Sequence, residues 1–194
     1  MDRNELRSAL LAKRSRLAAI DIERASVAVA RRVIDLAAVA TATRIAAYRA
    51  VRGELACDPV VRWAWDRQRR VYLPVTRPPR DMTFARWRQG DSFVQSRFGI
   101  DEPLPTARRV AVGRIDVVLV PLVAFDRRGY RLGHGAGYYD ATFAFRRQRR
   151  SRRPLLVGLA HAFQEVAEIE AREWDVPLDL VVTEREVIDA HASA

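Results

Sequence analysis

One cysteine, Cys57, is all the thiol chemistry available to this chain of 194 residues. An internal disulfide and a cysteine-built zinc cluster are thereby excluded, and the cytoplasm is the expected compartment. Lysine is equally scarce: Lys13 is the only one among 34 basic residues, the rest being arginine. No apolar run approaches the roughly 18 residues of a membrane span, so no membrane partner is expected. The opening MDRNELRSALLAKRSRL has early acidic residues and no apolar core ahead of a cleavage site, unlike a signal peptide. Neither a linker rich in proline, glycine or serine nor an internal repeat divides the chain. A single domain over 1–194 is expected.

What is present is an ordinary globular composition, 49% apolar and 30% charged, with a net charge of +10. Such a charge would ordinarily raise nucleic-acid binding. The arginine skew, however, also fits a background composition. The densest basic run, Arg146 to Arg153, contains no aromatic residue to stack a base and reads as a solvated helix end. Nucleic acid is therefore not an expected partner, and the chain is expected to be a monomer.

Periodicity predicts helices over 3–17 (capped by Asp2), 22–38 (capped by Asp21) and 58–69, where Asp58-Pro59 gives a cap and a first-turn proline. Strands are expected over 44–49, 71–75, 82–87, 117–123 and 155–160, with a last one inside 174–184. Of Trp63 and Trp65, two apart, one is expected to face the core. Alternating strands and helices with short connections predict an α/β fold: a three-layer open sheet, mostly parallel, with helices on both faces. Ligands of such sheets bind at the carboxyl ends of the strands.

The stretch from Asp116 to Phe145 concentrates the chemistry. A buried strand leads through the turn Asp126-Arg127-Arg128-Gly129 to Arg131-Leu132-Gly133-His134-Gly135-Ala136-Gly137, and Tyr138-Tyr139-Asp140 opens a helix. Glycines let backbone N–H groups approach an oxyanion closely, so strand, glycine loop and helix suit a phosphate. The spacing is neither the dinucleotide fingerprint nor the Walker loop. Arg131 could add a bidentate cationic contact and Asp140 could hold a magnesium ion that bridges phosphates.

Asp126, Gly129, Arg131-Leu132-Gly133, Gly135 and Gly137-Tyr138-Tyr139-Asp140 together resemble the signature of the 5-formyltetrahydrofolate cyclo-ligase family, the 5,10-methenyltetrahydrofolate synthetases. Gly99-Ile100-Asp101-Glu102-Pro103 and the closing Asp175-to-Glu184 segment resemble further family motifs. The resemblance implies the fold of sugar-phosphate isomerases and CoA transferases. It also implies an ATP- and Mg2+-dependent cyclisation of 5-formyltetrahydrofolate, with or without a polyglutamate tail, to 5,10-methenyltetrahydrofolate, releasing ADP and phosphate. By the same resemblance ATP is contacted by Arg3, Arg7, Arg131, Leu132, Gly133, His134, Gly135, Ala136, Gly137, Tyr138 and Tyr139. The folate falls to Arg49, Glu54, Glu102 and the loop residues His134, Gly135, Ala136, Gly137 and Tyr138. Asp140 and Asp179 are the implied metal ligands, with Asp175 as a rival, and Arg131 and Asp140 carry catalysis. Arg3 stands where the family has lysine, and Ala136 where glycine or lysine is common. Two other readings stay open: a non-catalytic nucleotide- or folate-binding regulator of the same fold, and an arginine-rich RNA-associated protein.

Overall fold

A computed structural model describes residues 2–147 and 153–192. Helix α1 (Arg3–Arg14) begins at a capping box in which Asp2 accepts from the Asn4 and Glu5 N–H groups and Glu5 reaches back to the Asp2 N–H. α2 (Ala19–Asp35) starts three residues earlier than expected, which puts Asp21 in its first turn, favoured by the helix dipole, instead of at the cap. A short α3 (Ala37–Thr41) follows, then β1 (Arg44–Ala46) and α4 (Asp58–Asp66). Cys57, not Asp58, is the cap residue of α4, and the helix stops three residues short of the expected end, just before Gln68 takes a left-handed φ of 55°.

The chain continues through β2 (Arg70–Arg77), β3 (Asp81–Trp87), β4 (Phe93–Gln95), β5 (Asp101–Pro103), β6 (Arg109–Val110) and β7 (Val117–Pro121). Then come β8 (Ala124–Phe125), β9 (Arg131–Leu132), α5 (Tyr138–Phe143), β10 (Leu155–Leu159), β11 (Leu180–Val182) and β12 (Val187–Asp189). The strand expected over 117–123 ends at Pro121, and the chain then folds into the separate β8–β9 hairpin.

Eight strands form one sheet in the order β12-β11-β10-β7-β1-β2-β3-β6. Its five central strands are parallel, and β12, β3 and β6 add antiparallel edges. On one face α2 and α4 cover Val71, Leu73, Val117, Leu119, Val157 and Leu159; on the other α5 covers Tyr72, Phe84, Val118, Val120 and Leu156. Central strands buried on both faces explain the unbroken apolar runs VVLV and LLVGL. Trp63 and Trp65 both pack against the α2/α4 side of the core, Trp65 edge-on to Trp87 at 4.9 Å, so the expectation of a single inward tryptophan is corrected.

The turn before the glycine loop is pinned from inside. Asp126 is fully buried and accepts from the Arg128, Tyr130 and Ile169 N–H groups and from the Arg128 guanidinium. Gly129, at φ 84°, lies so close to the chain entering β11 that a methyl placed on it would fall 2.5 Å from Leu178 O and 2.8 Å from Ala190 Cβ. Gly129→Ala is therefore expected to lower unfolding free energy by at least ~2 kcal/mol, since neither backbone nor methyl can move away freely. Urea denaturation with an unchanged slope is the measurement; an unaltered midpoint would contradict the close approach.

Candidate functional site

The carboxyl ends of β1, β7 and β10 face one edge of the sheet, and α1 lies across it, packed against β8. Arginines recur on α1 at positions 3, 7 and 14, one stripe of the helix. Arg7 donates from Nε to Gly133 O at 2.8 Å, which seats α1 directly on the glycine loop. Arg14 is 1% exposed. It donates to Arg52 O and Leu122 O, both at 3.0 Å, tying together the segments that follow β1 and β7. Burial pushes its pKa down, and the nearest carboxylate, Glu54, partly restores it across 3.7 Å.

Glu54 is itself buried, in the turn after β1. Its Oε2 accepts from the Val51 N–H at 3.1 Å and its Oε1 lies 3.0 Å from His134 Nε2. The carboxylate can only accept and the Arg14 guanidinium, 3.5 Å from the same ring nitrogen, can only donate. We therefore assign the hydrogen to Nε2, donating to Glu54. One glycine-loop side chain thus reaches across to the β1 turn.

The loop is open outward. His134, Gly135 and Ala136 are exposed, and a methyl on Gly133 or Gly135 would meet nothing within 4 Å. Gly135 and Gly137 take φ values of 105° and 74°, which side-chain-bearing residues avoid. Among the described residues, none of the backbone N–H groups from Gly133 to Gly137 finds an acceptor within the protein. Over the end of the loop lies Arg80, from the hairpin joining β2 and β3; its Nε is 3.8 Å from where a Gly137 methyl would be. Five free N–H groups between Arg7 and Arg80 make a cradle for an oxyanion.

Residues 1–184 match the family model described as the 5-formyltetrahydrofolate cyclo-ligase family. The chain belongs to that family. It is 37% identical over 161 residues to the 5-formyltetrahydrofolate cyclo-ligase of Escherichia coli K12, covering 81% of this chain and 87% of that one. The Haemophilus influenzae enzyme of the same name is 34% identical over 184 residues, covering 93% and 97%. Among solved structures, the 5,10-methenyltetrahydrofolate synthetase of Aquifex aeolicus superposes with a TM-score of 0.83 at 30% identity, over 98% of this chain and 93% of that one. The synthetase of Mycoplasma pneumoniae gives 0.76 at 26% identity, over 95% and 99%.

Several site residues expected for a cyclo-ligase stand around the cradle: Arg7, Glu54, His134 and the glycines. Others have different surroundings. Arg131 is 8% exposed, donates to Val176 O and pairs with Asp140 Oδ1 at 2.9 Å. Its guanidinium thus ties the start of α5 to the chain at Val176, which departs from an open phosphate contact. Asp140 Oδ1 also accepts from the Val176 N–H at 3.1 Å. Arg3 pairs with Asp175 at 2.8 Å and donates to Glu170 O, leaving it engaged away from the loop. Glu102 accepts from Thr76 N–H and hydroxyl at 3.0 and 2.8 Å, fixing the β4–β5 hairpin to the end of β2. Arg49 lies 5.5 Å over Trp87 and 5.4 Å over Phe93, with Asp58 and Asp101 each 3.5 Å away.

Asp179 needs a correction. It is 3% exposed at the amino end of β11, the edge opposite the cradle. Arg146 binds both its oxygens at 2.7 and 2.8 Å, the Leu156 N–H donates to Oδ2 and His191 Nε2 lies 3.2 Å from Oδ1. With both oxygens taken, it is not carried forward as a metal ligand beside Asp140. The same contacts correct the solvated reading of the basic run at Arg146, which is an ion-paired anchor; residues 148–152 of that run lie outside the described residues. Among the described residues no three His, Cys, Asp or Glu side chains cluster as a protein-only metal cage.

Proposed function

We propose that this cyclo-ligase closes 5-formyltetrahydrofolate to 5,10-methenyltetrahydrofolate with consumption of ATP, releasing ADP and phosphate, as a cytoplasmic monomer. The observation that carries the ATP dependence is the cradle: five unpartnered N–H groups from Gly133 to Gly137, open outward and flanked by Arg7 and Arg80. ATP supplies what no side chain here can, since γ-phosphoryl transfer to the formyl oxygen turns a poor leaving group into phosphate and lets N10 close the ring. Such a transfer requires positioning and charge neutralisation, not a protein nucleophile. The loop amides and Arg7 do that work, while Arg131 holds Asp140 and the chain at Val176 beside the loop. Glu54 lies on the folate side and His134 spans the two sides.

Magnesium fits the donors present in one mode. A hard cation takes one or two carboxylates and completes its shell with water and phosphate oxygens. Asp140, in the first turn of α5 just past the cradle, is the residue that would hold it; the ion would neutralise phosphate charge.

The test mixes purified protein with 5-formyltetrahydrofolate, ATP and Mg2+ and follows methenyltetrahydrofolate absorbance together with ADP. One ADP per product, and no product when ATP or Mg2+ is omitted, is expected. Product formed without ATP would overturn the reading. Two variants sharpen it. Arg7→Ala should weaken apparent ATP affinity about tenfold, the worth of a charged hydrogen bond, with a smaller effect on folate; equal losses would remove Arg7 from the nucleotide side. Ala136 is exposed at the loop apex. Ala136→Lys should fold normally and tighten ATP several-fold by adding a cation at the cradle; a collapsed thermal transition would show that the apex is packed.

A further inference from the structure

The edge of the sheet opposite the cradle carries a second concentration of positive charge. β1 begins at Arg44, β2 begins at Arg70, and β3, running antiparallel, ends there with Arg86 and Trp87, followed at once by Arg88. Arg44 is in register with Arg70, and the β2–β3 register begins at Val71↔Trp87, so Arg70 and Arg88 flank its outer end. One row further in, Tyr72 pairs with Arg86, and the Arg86 N–H donates to Arg108 O beside β6. Strand alternation puts Arg44, Arg70 and Arg86 on the α5 side, with Ala46, Tyr72 and Phe84, while Arg88 directly follows β3 and Arg108 directly precedes β6. Arg86 lies 5.6 Å over the Tyr72 ring.

This arrangement breaks a local rule. Like charges directly opposite on neighbouring strands repel. Yet none of these five guanidinium groups has a carboxylate within salt-bridge distance among the described residues. The two nearby acids, Asp91 and Asp116, accept backbone N–H groups of Arg88 and of Thr43 and Arg44. Arg86 Nη1 is buried with no hydrogen-bond partner. Burial lowers the Arg86 pKa, the neighbouring Tyr72 side chain raises it in part, and the Arg88 and Arg70 charges lower it again. One buried guanidinium nitrogen without a hydrogen-bond partner, in a row of arginines that form no ion pair among the described residues, leaves room for an anion to complete the site.

We propose that this face is an anion site distinct from the cradle, taking a run of consecutive phosphates such as a single-stranded RNA backbone presents. Three adjacent strands spaced about 4.8 Å apart spread the outer row, Arg44, Arg70 and Arg88, over roughly 10 Å, room for two or three phosphates. A single phosphate would leave most of the row unpaired. Tyr72 and Trp87 are buried, so neither ring is offered for stacking and the site reads charge and spacing, not bases.

The experiment measures binding of a fluorescein-labelled 12-mer oligouridylate by anisotropy across salt concentrations, with and without saturating ATP. Three phosphates neutralised along the row predict a slope of log K against log salt of about −2. ATP, held at the far edge, should leave it unchanged. Arg70→Gln/Arg88→Gln, two exposed positions outside the cyclisation machinery, should reduce the slope by about 1.4 while ring closure stays at the wild-type rate. Arg24→Gln/Arg31→Gln, exposed on α2, makes the same change in net charge and should leave the slope as it was. Equal weakening by the two pairs would mean diffuse net charge only and would overturn the proposal. So would displacement by ATP, or wild-type binding in the Arg70/Arg88 variant.

Discussion

Glu54→Gln should lose about 3 kcal/mol of stability in addition to raising the apparent folate KM roughly tenfold. The first effect comes from Arg14. That guanidinium is 1% exposed and its nearest carboxylate is Glu54, at 3.7 Å. Removing the negative charge leaves a cation buried without compensation, which costs more than the pair was worth. Glutamine can accept from the Val51 N–H with its one carbonyl oxygen and donate from its amide NH2 to His134 Nε2 in the other ring tautomer, so geometry is largely kept and the loss reports charge. Combining Glu54→Gln with Arg14→Met removes the stranded cation as well. The double variant should therefore be less destabilised than the sum of the single ones, by at least ~1 kcal/mol in a urea double-mutant cycle. Strict additivity would show that Arg14 and Glu54 are not energetically paired. The folate effect is read separately at 25 °C on folded protein; an unchanged KM would move Glu54 out of the folate side and leave it a purely structural counter-ion.

Arg14 also shows where sequence reading stopped. The pair Arg3 and Arg7 was visible as one helical turn, and Arg14 lies on the same stripe, so the signal was there in the i, i+4, i+11 spacing. What pattern could not show is which arginine goes inward. That depends on Glu54, 40 residues on, and on Leu122 O, 108 residues on. The glycine loop was legible through the combination of Asp126, Gly129, Arg131 to Gly133, Gly135 and Gly137 to Asp140 directly after an apolar run, since alternate glycines alone also suit a surface turn. Asp179 was assigned from the family resemblance and Arg131 from that resemblance and its charge, and their actual partners, Arg146 and Val176 O, are 33 and 45 residues away. Tertiary contacts at that range leave no local trace. The main parallel sheet followed from unbroken apolar runs such as Val117–Val120, buried on both faces. The two- and three-residue strands β4, β5, β6 and β12 escaped because segments that short carry no measurable period. Arg80 lay in a proline hairpin with nothing to tie it to the loop until β2 and β3 were paired.

Asp140→Asn is expected to cut turnover about 100-fold at limiting Mg2+ while leaving folate binding nearly intact. Asparagine is close to isosteric, and its carbonyl oxygen can accept the bonds that Asp140 Oδ1 takes from Arg131 and the Val176 N–H. The loop should therefore keep its shape, and the charge is what disappears. Two roles for that charge make different forecasts. If Asp140 serves only to neutralise Arg131, whose side chain is 6% exposed, the variant should be less stable and added Mg2+ should not help. If Asp140 also holds the ion that offsets phosphate charge, raising Mg2+ should restore part of the rate, because the remaining shell of water and phosphate oxygens still binds, only more weakly. We expect the second pattern: the Mg2+ concentration for half-maximal rate rises at least tenfold, and the urea midpoint moves little. Near-normal turnover at limiting Mg2+ would remove Asp140 from the metal. A lowered urea midpoint with no rescue by Mg2+ would leave it as the brace of Arg131 alone.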